Sequence, residues 1–219
     1  MNAGTGTRWT GAFLMLAAVS FWLSWALMPG VGVTDAERIL ALVSGQPQSV
    51  LVSSTLQLLS AALFALSIPG LARLLPPSRS KWAAVGTTLL AIGACGDAAD
   101  AIFHQIAYEM VGPNAERAQM VPVFQRMQSF DLLFLLPMIA AFFGGCIALA
   151  VGMAREKIAS YWNPRLYALA LCVAVIGGPM ASTIGLTGRA IGLTVLGLLS
   201  VSVAWMGVAL LRKSSFTGE

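Results

Sequence analysis

The chain has 219 residues, 58% of them hydrophobic and only 10% charged, with a formal net charge of +4. Soluble domains carry about 25% charged residues, so a water-exposed globular domain is excluded and an integral membrane protein is expected. No basic stripe, zinc-ligand spacing or aromatic-interleaved patch accompanies the positive balance, which argues against nucleic acid as a partner.

Arg8 precedes the apolar run GAFLMLAAVSFWLSWALM. At about 18 residues the run exceeds a signal-peptide core, and no small-residue cleavage pattern follows, so it is expected to be a retained first span over 11–29. The loop VGVTDAERILALVSG comes next. Thr34 and Glu37 have capping-box spacing, Asp35 falls in the first turn, and Ile39, Leu40, Leu42 and Val43 make an amphipathic helix suited to an interface or a lid. Span two, 49–72, carries Ser53, Gln57 and Ser60 on one face. Span three, 82–106, contains GDAADAIFHQIAYE near its outer end. The loop GPNAERAQMVPVFQRMQ is again amphipathic and is expected to extend span four, 124–153, outward. Spans five and six follow at 163–183 and 190–211. These readings predict an all-α bundle of six transmembrane helices forming one integral membrane domain over 1–219, with short interfacial helices in the outer loops.

Lys and Arg set the orientation. Arg8, Arg73, Arg79, Lys81, Arg155, Lys157, Arg165, Arg212 and Lys213 fall on one side, leaving Arg38, Arg117, Arg126 and Arg189 opposite. The positive-inside rule then places both termini in the cytoplasm and the chain in the inner membrane as a multi-pass protein. Cys95, Cys146 and Cys172 sit in apolar runs without a CxxC pair and read as small hydrophobes.

The polar residues of span three form a stripe. Asp97 and His104 are seven residues apart and point within about 20° of each other on a helix. Asp100 lies one turn before His104, within reach of an ion pair, and Tyr108 continues the stripe. Asp131 in span four falls at a comparable depth, as does Gln57. A carboxylate facing lipid near the bilayer centre costs about 2.5–3.5 kcal/mol, so these acids are expected to face the bundle interior, around a polar cavity that opens outward. There, burial and mutual repulsion favour holding one carboxyl neutral, as a proton donor, beside an ionised one that stabilises a cation. The alternative is structural: Asp100 with His104, and Asp131 with Gln128 or Gln57, are satisfied pairs that hold helices together.

Known membrane chemistries constrain the choice. A single histidine excludes a bis-histidine haem, no lysine lies in a span to form a retinal Schiff base, and no serine carries a protease motif. The D-x-x-D of residues 97–100 lacks the following glycine of CDP-alcohol phosphotransferases, and UbiA-type prenyltransferases need a second aspartate-rich motif. No cofactor is expected, although Asp97, Asp100, His104 and Asp131 are an acceptable ligand set for a divalent metal.

R-W-T-G-A-F-L near the start, D-A-E-R in the first outer loop and L-S-I-P-G-L-A-R-L-L-P before span three resemble bacterial six-span integral membrane proteins of this length. The resemblance covers the first hundred residues and implies an architecture without an activity. That architecture is also similar to small integral-membrane terpene cyclases, which protonate isoprenoids with intramembrane acids; no motif transfers residue roles from them.

The expected function is therefore binding of, or action on, an isoprenoid or lipid-like molecule by acid–base chemistry such as cyclisation or isomerisation. Asp97 and Asp131 would serve as acid or cation stabiliser, Asp100 and His104 as a polarised donor pair, and Gln57 and Tyr108 as orienting groups. Trp22, Trp25, Phe103, Phe130 and Phe134 would wall the apolar pocket, although packing or interface anchoring is the ordinary role of any one of them. A proton- or cation-coupled transporter or channel is the alternative from another class. A third is an accessory protein that oligomerises through the G-x-x-x-G pair Gly188 and Gly192.

Overall fold

In a bilayer every backbone N–H and C=O must find its partner within the segment, so long apolar runs have helix as their local solution. A computed structural model describes residues 3–177 and 187–216, apart from the side chains of residues 3–5, 131–132 and 214–216. The described residues form α1 (Ala3–Leu27), α2 (Ala36–Gly45), α3 (Pro47–Leu74), α4 (Lys81–Glu109), α5 (Arg117–Arg155), α6 (Trp162–Cys172) and α7 (Gly188–Phe216), and no strand. Five of these, α1, α3, α4, α5 and α7, contain segments long and apolar enough to cross a membrane, as expected of an integral membrane protein.

The remaining predicted span, 163–183, is described only to residue 177. Its 11 residues of α-helix in α6 run on into a five-residue π-turn, Val173–Gly177. Pro137 is carried within α5 without ending it.

The helices close a ring. α5 packs on α4, α4 on α3, α3 on α1, α1 on α7 and α7 on α6, and α6 returns to α5. The α4–α5 seam is tight because glycines line it from both sides. A Cβ on Gly86 would meet the backbone of Leu149, one on Gly93 the backbone of Phe142, and one on Gly145 the backbone of Leu90. Small residues let two backbones approach where van der Waals packing, rather than water exclusion, holds helices together. Phe21 of α1, Phe64 of α3 and Phe142 of α5 meet at the ring's centre with centroids 5.1 and 5.2 Å apart, and the core below them is apolar.

α2 crosses the end of the bundle at which α1 and α4 finish and α3 and α5 begin. Its N-cap is Asp35, whose carboxylate accepts from the Arg38 N–H at 2.8 Å, and this corrects the Thr34 capping box expected from spacing. A carboxylate at the N-terminus satisfies a free N–H and also meets the positive end of the helix dipole, an advantage a threonine hydroxyl lacks. Leu40 packs with Ala36, Ala107 and Phe124, and Val43 with Met28 and Val50. The expected N-terminal extension of span four is present, since α5 runs 39 residues from Arg117. It pins the lid: Arg117 donates to the Glu37 carbonyl at 3.1 Å and Gln128 to the Thr34 carbonyl at 3.3 Å. Arg189 caps the C-terminus of α1, donating to the carbonyls of Ala26 at 2.8 Å and Pro29 at 3.3 Å. Gly188 and Gly192 lie beside Gly32 and Val31 of the same outer loop.

Candidate functional site

The polar face predicted for span two is buried, and it faces α1 and α4. Ser53 donates to the Ser24 carbonyl at 2.7 Å and Ser60 to the Ala17 carbonyl at 3.2 Å, joining α3 to α1. Gln57, on the same face, turns the other way. Its Nε2 donates to Asp100 Oδ2 at 2.6 Å, and its Oε1 lies 3.2 Å from His104 Nδ1. Asp100 Oδ2 is 3.8 Å from that same nitrogen, too far for a direct hydrogen bond. One amide therefore bridges carboxylate and imidazole, an arrangement not expected from the sequence, where Asp100 and His104 were paired directly.

The bridge fixes protons. The opposite amide orientation would aim a carbonyl oxygen at the carboxylate, so Nε2 faces Asp100 and Oε1 faces His104. With Oε1 as the acceptor, His104 Nδ1 carries the hydrogen of that contact. Trp25 packs edge-on against the imidazole at 5.9 Å, and Phe103 does so at 6.4 Å.

Asp97 lies one turn before Asp100 and is equally buried. Its Oδ2 has no hydrogen-bond partner among the described residues. Such an atom is unusual, because buried polar oxygens are nearly always bonded and an orphan costs about 1–3 kcal/mol.

Two cavities meet here, each about 190 Å³. Asp97, Asp100 and Gln57 line the inner one, whose other walls are apolar and include Phe21, Phe142 and Leu196. The outer cavity lies beneath α2 and is lined by His104, Phe103 and Phe124 with Met28, Ile39 and Val43. Trp25 belongs to both walls, and its indole Nε1 has no partner among the described residues. The Asp100–Gln57–His104 bridge thus runs from one chamber to the other past the Trp25 ring.

The predicted residues separate accordingly. Asp97, Asp100, Gln57, His104, Trp25 and Phe103 come together. Tyr108 lies further out and packs against the cluster of Met28, Val43 and Val50, lining neither chamber. Trp22, one position round from Phe21, lines an outward-facing groove between α1 and α7. Phe130 and Phe134 are 65% and 63% exposed on α5 and so do not wall the chambers. A 100° step per residue explains why residues so near in sequence to predicted site positions face outward. The Asp131 side chain lies outside the described residues. No group of three or more His, Cys, Asp or Glu side chains is placed to hold a metal among the described residues.

Sequence reasoning missed Phe21, Phe142 and Phe124. Phe21 was accessible, being four residues before Trp25 and on its face. Phe142 and Phe124 had no such signal, because their roles depend on which face of α5 meets α4.

No family model, curated protein or solved structure matches the chain. Its function is argued from the chemistry of the two chambers.

Proposed function

We propose that this is a six-span protein of the inner membrane, with both termini cytoplasmic, that binds an isoprenoid-like molecule in the inner chamber and acts on it by acid–base chemistry. The observation that carries this reading is the Asp97 Oδ2 atom, without a hydrogen-bond partner among the described residues, on the wall of a chamber it shares with Asp100 and Gln57 and whose other walls are apolar. A dry cavity of about 150 Å³ accepts benzene, so a chamber of this size suits a small ring or one isoprene unit. In its protonated form Asp97 would add a proton to an alkene carbon of the bound molecule. The Asp100 carboxylate would stabilise the resulting cation, and the Asp97 carboxylate would take back a proton from a neighbouring carbon, completing a redox-neutral isomerisation or cyclisation and restoring the acid. Gln57 would hold Asp100 in place through its amide N–H and His104 through its amide oxygen.

The test is Asp97→Asn, which keeps the shape and removes the acid. Purified wild type is expected to retain a lipophilic molecule detectable by mass spectrometry, and to introduce deuterium at carbon when incubated with it in heavy water. The variant is expected to keep the molecule and lose the incorporation. Equal incorporation in the two proteins would end the proposal, while a wild type that binds the molecule without incorporating deuterium would reduce it to a binding protein.

Proton-coupled transport is the second reading, favoured by the placement of His104 and the carboxyls in different chambers on either side of Trp25. Proton flux into liposomes driven by a pH gradient, abolished by Asp97→Asn, would select it.

A further inference from the structure

A second cavity of about 450 Å³ lies at the opposite end of the bundle, where α5 turns into α6 beside the last turns of α7. Among the described residues three cations line it, Lys157, Arg212 and Lys213, and no acidic side chain does. Glu156 is the neighbour best placed to neutralise Lys157, but Arg79 holds it at 2.9 Å. Among the described residues neither lysine has a carboxylate partner. Arg212 sits 5.9 Å from the centroid of the Trp205 ring, which orients the guanidinium without neutralising it.

The backbone supplies an independent observation. α5 ends in a Schellman motif: the Lys157 N–H donates to the Ala154 carbonyl at 3.0 Å and the Ile158 N–H to the Met153 carbonyl at 2.9 Å. Lys157 occupies the left-handed position of that motif, at φ 55°, and is the only non-glycine residue with positive φ among those described. Glycine fits this position without strain. A lysine in this strained conformation, lining one cavity with two further cations that have no carboxylate partner among the described residues, is a pattern of a functional constraint.

We infer that this pocket binds the phosphate headgroup of an anionic phospholipid. The walls separate a lipid from a free phosphate. Beside the cations they present Ile158, Val208, Ala209 and the Trp205 indole, which a bare anion would leave uncovered and the glycerol and first methylenes of a lipid would cover. The same end of the bundle carries two more arginine–tryptophan contacts, Arg155 over Trp82 at 5.6 Å and Arg165 over Trp162 at 4.9 Å, as expected of helix ends in the headgroup layer.

Each cation beside an anionic headgroup contributes roughly fivefold in affinity. The purified protein in zwitterionic detergent is therefore expected to bind phosphatidylglycerol at least tenfold more tightly than phosphatidylcholine, read as lipid retained in native mass spectrometry and as a rise in unfolding temperature. Lys157→Gln/Arg212→Gln/Lys213→Gln should abolish the preference, and Lys157→Arg/Lys213→Arg should keep it. Lys157→Gly removes one charge while relieving the backbone, so it should weaken lipid binding without lowering stability in detergent alone. Equal affinity for the two lipids, or a preference that survives the triple substitution, overturns the assignment. Stabilisation of the same size by inorganic phosphate overturns it in favour of a water-soluble anion.

Discussion

Gln57→Leu tests the bridge most directly, because it keeps the side chain's bulk and removes both hydrogen bonds. Interhelical hydrogen bonds in membrane proteins average about 0.6 kcal/mol and reach about 1.7, since the unfolded chain also finds partners in the membrane. Here the acceptor is a carboxylate, the bond to it is 2.6 Å long, and Gln57 and Asp100 are buried, which places this contact at the upper end. The 3.2 Å contact to His104 is longer and only partly buried, so it takes the average. The single substitution should therefore cost about 2 kcal/mol. In an Asp100→Asn background the charged acceptor is gone and the cost of Gln57→Leu should fall to about 1 kcal/mol, leaving a coupling of about 1 kcal/mol between the two positions. Reversible unfolding of the four proteins in mixed micelles, followed by tryptophan fluorescence, measures that coupling directly. Additivity within about 0.3 kcal/mol would show that Gln57 and Asp100 do not interact, and the bridge between the chambers would fall with it.

Other consequences follow from single contacts. Lys157→Gly should raise stability in detergent by about 0.5–1 kcal/mol, seen as a higher unfolding temperature, because glycine adopts the left-handed cap without a Cβ penalty. Gly93→Ala should cost about 1–3 kcal/mol, since its new methyl meets the Phe142 backbone; a neutral result in the same unfolding assay would mean that α4 and α5 are further apart. Asp35→Ala should cost about 1 kcal/mol at the start of α2 and speed amide exchange at Arg38, while Asp35→Asn should preserve most of the cap.

Much of the fold was legible in the sequence because the bilayer imposes a local rule. In a bilayer a run of apolar residues must be helical whatever surrounds it, so composition and run length alone marked the five helices long and apolar enough to cross a membrane, along with a sixth span described only as far as Gly177, and the amphipathic loop at residues 34–43 announced α2. The face of a helix is also a local property. The three-and-four spacing of Asp97, Asp100 and His104, and of Ser53, Gln57 and Ser60, identified the two buried polar faces before any neighbour was known. The sequence did not determine which faces meet. Gln57 stands between Asp100 and His104 because α3 and α4 are adjacent in the ring. Trp25 divides the interior because α1 closes the ring between α3 and α7. Phe130 and Phe134 looked as suitable as Phe142, and the close α4–α5 seam, which turns one side of α5 inward, is what separates them. Such choices arise from packing between segments distant along the chain, so no window of sequence contains them. GDAADAIFHQIAYE marked the buried polar stripe, and the tertiary structure decided its partners and left one carboxyl oxygen of Asp97 without any among the described residues.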